Sequence, residues 1–467
     1  MNKERQKTFY IQTFGCQMNE YDSLRIEEKL ISKGFKKNDS CCNTDFVILN
    51  TCSIREKATH KVYSELGRIN LEKQKMKKNG QYMVIAILGC VAETEGSSKI
   101  FKKAPYVDMV LGPQSHNYLF KYFEKVISSV EKRKNNTIVT NTHFSHLDLD
   151  ATSKFDFLSE ERKSFNSISA YITIQEGCNK FCTYCVVPNT RGRELARKPK
   201  DIISEAKNLE KNGVKEIVLL GQNVSSYKYI DENNKNWSLV DLIKEIAKLK
   251  NILRIRYITS HPIDITDELI QLHKTEKKLI PYLHLPVQSG SDAILKKMNR
   301  KYTSKYYIDI INRYRMAVPN IVFSSDFIVA FPSETEEDFQ QTLNLVKIVN
   351  YKAQCFSFKY SPRPNTVASL SKDQIEDKIA SDRLNRLQSL LEEQRIEFAR
   401  SLLNNEVYVL FDNDKMEDKL QISGRDEYMH LVVYNCKDLN EKNKLYGQLL
   451  KVKITNIGAN ILTCDIS

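Results

Sequence analysis

Cys178, Cys182 and Cys185 in GCNKFCTYC stand in the spacing C-x3-C-x2-C. Three thiolates on so short a tether can hold three corners of a cubane iron-sulfur cluster and leave the fourth iron open to a small molecule, much as a catalytic zinc keeps one position for water or substrate. A structural zinc would want a fourth Cys or His, and none lies close along this stretch. A second trio is dispersed: Cys16 follows FYIQTFG, Cys52 follows DFVILNT and Cys90 follows MVIAILG. Each ends an apolar run of strand type, and the carboxyl edge of an open α/β sheet is where ligands bind. Small apolar cysteines are also often simply buried in sheets, but three at three strand ends, each following Gly or Thr, favour ligation. Cys41 and Cys42 in a polar turn, and Cys355, Cys436 and Cys464 on strand-like segments, lack such partners and read as structural.

These cysteines need a scaffold, and the pattern of the chain supplies a mixed α/β one in three parts. Residues 5–130 alternate strand and helix patterns, the signature of an open α/β domain. Its strands are expected at Lys7–Phe14, Asp45–Asn50, Gln81–Leu88 and Tyr106–Leu111, with Asp22 capping a helix that stops at Gly34. Residues 131–166 are polar and poorly periodic, as in a linker, and His143 and His146 there read as solvated. Residues 167–400 carry six strand candidates alternating with helices, which implies a parallel sheet wrapped into a barrel or part of one, its chemistry at the carboxyl ends of the strands. Residues 401–467 cluster β-formers between turn residues, as expected of a small antiparallel barrel.

Composition narrows the function classes. The 467 residues are 41% hydrophobic and 28% charged, which fits a globular protein and not a disordered or fibrous one. The N-terminus MNKERQKTFY lacks the apolar core of a secretion signal, and no apolar run approaches the ~20 residues of a membrane span. A soluble cytoplasmic chain without membrane contact is expected, and in a reducing compartment its eleven cysteines are better suited to metal or redox chemistry than to disulfides. The net charge of +13 admits a polyanionic partner. Residues 404–467, however, hold eight Lys and Arg against ten Asp and Glu, a net of −2, so bulk charge does not make the tail a nucleic-acid grip.

A C-x3-C-x2-C run after the first strand of a β/α barrel resembles the radical S-adenosylmethionine (SAM) superfamily, whose open iron binds the amino and carboxylate groups of SAM. The three upstream cysteines and the β tail, similar to a TRAM domain, resemble its methylthiotransferase branch. Within that branch GCQMN (Gly15 to Asn19), NTCSIREKA (Asn50 to Ala58) and YSPRPNT (Tyr360 to Thr366) look like the MiaB type. The resemblance covers essentially the whole chain. It implies methylthiolation of carbon 2 of N(6)-dimethylallyladenosine next to the tRNA anticodon, with two 4Fe-4S clusters as cofactors. One cluster, on Cys178, Cys182 and Cys185, would deliver the electron that cleaves SAM; the other, on Cys16, Cys52 and Cys90, would supply sulfur, and a second SAM the methyl group. It further implies Tyr184 beside the SAM adenine, and places Gly221, Gln222, Ser260, His261 and Gln288 at strand ends near SAM. tRNA, an electron donor such as flavodoxin or ferredoxin, and a monomeric state are the expected partners and assembly.

Arg191, Arg193 and Arg197 could meet phosphate or the SAM carboxylate, or pair with nearby acids. Lys451 and Lys453, on one face of a tail strand, could contact RNA phosphate. The chain departs from the family pattern at Ser333 and Asn365, where glycine is usual, and at Glu93, where Gln is common. Sister activities on threonylcarbamoyl-adenosine or on a ribosomal-protein aspartate, and a non-catalytic metal-stabilised RNA-binding protein, are the competing readings. GCQMN and NTCSIREKA argue against both sister activities, and the binding protein would need neither an open iron nor a barrel mouth.

Overall fold

The computed structural model describes residues 5–52, 56–134, 143–158, 167–414, 416 and 418–466. Ser53, Ile54 and Arg55 of the NTCSIREKA segment lie outside them, as do 135–142 and 159–166 of the segment read as a linker.

The first unit is a six-stranded parallel sheet. Its strands are β1 (Thr8–Thr13), β2 (Lys36–Lys37), β3 (Phe46–Thr51), β4 (Val84–Gly89), β5 (Met109–Leu111) and β6 (Phe144–His146), ordered β2-β1-β3-β4-β5-β6. Helices α1 (Gln17–Ser32), α2 (Glu56–Lys78), α3 (Cys90–Glu95), α4 (Ser97–Lys103) and α5 (Tyr118–Lys134) connect the strands. β3 and β4 are buried along their whole length because both faces are covered, so their sequences run apolar without alternation. Phe46, Ile48, Ala86 and Leu88 join one core while Val47, Leu49, Ile85 and Ile87 join the other.

Two expectations change here. α1 starts at Gln17, with Cys16 in extended backbone at the cap position, and Asp22 lies buried inside the helix instead of capping it. Its carboxylate is taken by Lys154, an ion pair that outcompetes a capping role. The segment read as a linker contains β6, which pairs with β5, and helix α6 (Thr152–Leu158). His143 stacks on Phe101 with ring centroids 4.4 Å apart, and His146 on Tyr118 at 3.7 Å, so both are packed on a ring while remaining partly exposed. β6 has only three residues, too few for a periodic pattern to show.

The central unit builds an open, curved parallel sheet. Strand Glu216–Leu220 pairs with both Ser169–Thr173 and Arg254–Tyr257. A single bridge, Ile255 with Leu279, leads on to Tyr282–His284, which pairs with Val322–Ser324; Asp326–Val329 then pairs with Phe356–Lys359. Val322–Ser324 and Asp326–Val329 are separate strands, the break falling at Ser325. No pairing joins the last strand to the first among the described residues, so this is a partial barrel. Ile217 and Leu219 face the barrel core while Val218 and Leu220 face the core of the first unit, a period-two split that makes one strand serve two domains.

A 25-residue helix, Asp377–Ser401, leads to a closed five-stranded barrel of Glu406–Asn413, Gln421–Asp426, Leu431–Asn435, Leu449–Ile457 and Ile461–Asp465. It is docked on the central unit: Arg254 Nη1 donates to the Arg425 carbonyl at 2.9 Å and Arg395 Nη2 to the Ala459 carbonyl at 2.7 Å. Among the described residues no helix is long and apolar enough to cross a membrane.

Candidate functional site

Register brings the dispersed cysteines together. Thr13, Asn50 and Leu88 are cross-strand neighbours on β1, β3 and β4, so the residues leaving those three adjacent strands emerge at one edge. Cys16, Cys52 and Cys90 are among them. Gly15 (φ +122) needs both its backbone freedom and its missing side chain, because a Cβ there would stand 2.2 Å from Cys52 Cβ. At Gly89 (φ +95) a Cβ would meet the Thr51 carbonyl at 2.3 Å. The glycines before two of the cysteines therefore allow the close approach. The Cys52 thiol donates toward Cys16 and, aided by the charge of Arg191, holds the Cys16 thiol well below its usual range despite burial.

Asn19 ties this edge together. Its Nδ2 donates to the carbonyls of Phe14 at 3.1 Å and Thr51 at 2.8 Å, and its Oδ1 lies 3.6 Å from Cys16 Sγ. Asn50 returns a bond to the Asn19 carbonyl at 2.9 Å.

The second trio occupies the loop between the short strand Gln175–Glu176 and helix Val187–Thr190. The backbone folds it inward: Cys178 N donates to the Gly192 carbonyl and Cys185 N to the Cys182 carbonyl. Burial pushes the Cys178 thiol up to about 11 and the Cys185 thiol to about 12, so a metal that captures them must displace their protons. Among the described residues no three His, Cys, Asp or Glu side chains close on one point. A cubane does not ask for one, because each thiolate binds its own iron.

Sequence reading alone misses Arg300. It is buried, donates to the Pro286 carbonyl at 2.7 Å and stands 3.4 Å from both Cys182 Sγ and Tyr184 Oη. It lies more than a hundred residues from the loop it supports, so no local signal marks it.

The strand ends carry polar atoms without partners among the described residues. Thr173 Oγ1, Gln222 Oε1, Ser260 Oγ and His261 Nε2 are buried and make no hydrogen bond to any described residue, although they lie at or just beyond the carboxyl ends of three paired strands. Burial holds His261 neutral, its pKa lowered to about 2, with Arg300 and Lys180 adding to the effect. Gln222 also contacts Met18 Sδ at 2.7 Å, linking the barrel to the GCQMN segment. Gly221 packs on Gln175, where a Cβ would come within 3.3 Å. Gln288 takes a left-handed backbone (φ +73) and bridges to Phe327. Ser333 (φ +65) and Asn365 (φ +61) are left-handed too, a conformation glycine would adopt without strain. Glu93 is raised to about 7 by burial, with Asp148 beside it.

A buried ion network joins the two cysteine sites. Lys154 Nζ pairs with Asp22 at 2.8 Å and with Glu176, and Arg191 Nη1 donates to Glu176 Oε2 at 2.9 Å. All four side chains are at most 3% exposed. Of the three arginines singled out by sequence, Arg191 and Arg197 are thus buried partners of acids, Arg197 with Glu205 at 2.6 Å, while Arg193 is exposed beside Phe181.

Comparison with known proteins sets the class first. The family profile described as Radical SAM superfamily matches residues 172–346, and that described as Uncharacterized protein family UPF0004 matches residues 8–112. The fold resembles that of the radical S-adenosylmethionine methyltransferase TsrM from Kitasatospora setae, with a TM-score of 0.52 at 12% identity over 78% of this chain and 75% of that one. Full-length relatives narrow the class. The tRNA-2-methylthio-N(6)-dimethylallyladenosine synthase of Rickettsia akari (strain Hartford) is 47% identical over 462 residues, 98% of this chain and 99% of the relative. That of Rickettsia canadensis (strain McKiel) is 47% identical over 461 residues, with the same coverage of both. This chain belongs to the tRNA-2-methylthio-N(6)-dimethylallyladenosine synthase family.

Proposed function

We propose that this chain methylthiolates carbon 2 of N(6)-dimethylallyladenosine next to the anticodon of tRNA. The observation that carries the reading is the pairing of two cysteine trios through one buried network, because a reaction needing two clusters needs them held in fixed relation. When bound, two 4Fe-4S clusters and SAM supply the one-electron chemistry, the sulfur and the methyl group that an unactivated aromatic C–H requires.

The residues present fit those groups. Cys178, Cys182 and Cys185 would hold one cluster, and Cys16, Cys52 and Cys90 the other. The orphaned atoms of Thr173, Gln222, Ser260 and His261 are buried polar groups that a bound polar ligand such as SAM would satisfy. Tyr184, Gly221 and Gln288 complete the proposed SAM site. His261, kept neutral, can accept or donate there without adding charge. The working units are taken as 5–130, 167–400 and 401–467, with 131–166 adding β6 to the first sheet as well as leading on to the central unit. An external donor of flavodoxin or ferredoxin type, a monomeric state and a cytoplasmic location belong to the same proposal.

Mass spectrometry of tRNA nucleosides from cells with and without the gene tests it. Loss of the 2-methylthio derivative with accumulation of N(6)-dimethylallyladenosine is expected. Loss of a methylthiolated threonylcarbamoyl-adenosine instead would assign the sister activity.

The tail yields a separate prediction. Lys451 and Lys453 are exposed on one strand face while Val452 and Ile454 are buried, and Lys451 Nζ lies 2.5 Å from Glu406. Among the described residues Lys453 makes no ion pair, although Glu406 and Asp465 stand opposite it on the neighbouring strands, so its ammonium is the one offered to phosphate. Lys453→Ala is expected to lower the slope of log affinity for tRNA against log salt by roughly one, with weaker binding whatever the sequence. Filter binding at several salt concentrations checks this; an unchanged slope would place the phosphate contacts on the net-positive first and central units.

A further inference from the structure

Arg191 stands where the two cysteine sites meet. It follows helix Val187–Thr190, which begins two residues after Cys185 and packs on α3, the helix that Cys90 opens. Its Nη1 bonds Glu176, two residues before Cys178, and its Nη2 bonds Asn19 Oδ1 at 3.0 Å. The same Asn19 oxygen lies 3.6 Å from Cys16 Sγ, and the same amide holds the Thr51 carbonyl next to Cys52. A continuous path of contacts thus runs from Cys16 through Asn19, Arg191 and Glu176 to the segment of Cys178. The charges along it are also arranged. Lys154 and Arg191 balance Asp22 and Glu176, and the further titratable groups that act on the guanidinium include the Cys90 and Cys16 side chains.

We infer that Arg191 is a positioning residue by which the central unit reaches into the Cys16, Cys52 and Cys90 site, holding the Cys16 turn and setting the reduction potential of a cluster bound there. The inference rests on the ligation proposed above. A thiolate-bound cluster becomes more negative on reduction, and a buried guanidinium keeps its charge at any working pH, so it favours the reduced form. Lysine would keep the charge but not the two-pronged bond that serves Glu176 and Asn19 at once.

The test uses the full chain carrying C178A, C182A and C185A, loaded anaerobically with ferrous iron and sulfide so that only the upstream site holds a cluster. Dithionite titration is followed by electron paramagnetic resonance. In this background Arg191→Gln is expected to lower the reduced-to-oxidised ratio about tenfold at a fixed potential, equivalent to about 59 mV for one electron. Arg191→Lys should recover most of that loss. An unchanged midpoint in Arg191→Gln with iron retained overturns the inference and leaves the ligation standing, as does a lysine variant indistinguishable from glutamine. If Arg191→Gln does not fold, Asn19→Ala, which frees the guanidinium from the Cys16 turn, must shift the midpoint in the same direction; no shift again overturns it. Absence of iron from the parent background overturns the ligation and the inference with it.

Discussion

Cys182→Ala is expected to abolish release of 5′-deoxyadenosine from SAM, whereas Cys52→Ala should leave that release measurable and end methylthiolation. Cys182 is the middle ligand candidate of a loop in which all three thiols lie within eight residues, so its loss leaves two thiols and Arg300 facing a gap 3.4 Å from its guanidinium. Changing residues that only support metal ligands typically costs about 10–100-fold, and removing a ligand should cost at least about 100-fold. Cys52 belongs to the edge of the first unit, where its near neighbours are Gly15 and Cys16. Its removal takes nothing from the loop of Cys178, Cys182 and Cys185. Iron analysis and chromatography of the nucleoside product on the same samples separate the two effects. Loss of SAM cleavage in Cys52→Ala with the iron of the second trio intact would show the sites are not divided in this way.

Lys154→Met should be among the most destabilising single changes in the chain. Lys154 is fully buried and serves two buried carboxylates, Asp22 and Glu176, whose separation in sequence from each other exceeds 150 residues. Removing one member of a buried charge group leaves the others uncompensated, at a cost of about 3–5 kcal/mol. The pH dependence gives the cause away. In the native protein Glu176 is held below the usual carboxylate range by the neighbouring Lys154 and Arg191, which outweigh its burial, whereas burial pushes Asp22 above that range. Without the ammonium both carboxyls shift upward in the folded state. A folded-state value above the unfolded one means the folded protein binds more protons, so stability is regained as pH falls. Urea unfolding should therefore show a larger deficit at pH 8 than at pH 5. Equal deficits would mean that Lys154 matters for its packing volume and not its charge.

Ser333 and Asn365 illustrate how far local chemistry can be read ahead of a structure. The family resemblance implies glycine at both, and both take left-handed backbone, which small polar residues tolerate and β-branched ones do not. The order of strand and helix was legible in the same way. β3 and β4 announce themselves as continuous apolar runs because a parallel sheet covered on both faces asks for nothing else. The second cysteine trio is legible because its spacing lies within one loop and owes nothing to the rest of the chain.

By itself, then, the sequence determined what is local: strand and helix periodicity, the cysteine spacing, and the strand ends at which Cys16, Cys52 and Cys90 must emerge. Tertiary structure decided what depends on a distant partner. Asp22 has the residue type of a helix cap and Lys154 that of a solvated linker, yet they form one buried pair across 132 residues. Arg191 could equally have met phosphate or an acid until the packing of α3 against helix Val187–Thr190 placed Glu176 and Asn19 at its two prongs. The reason is physical. Spacing along a strand, helix or loop is fixed by backbone geometry, whereas the partner of a buried charge is fixed only when two elements pack and exclude water, and an ionised side chain deprived of water must then take whichever opposite charge the fold brings within reach.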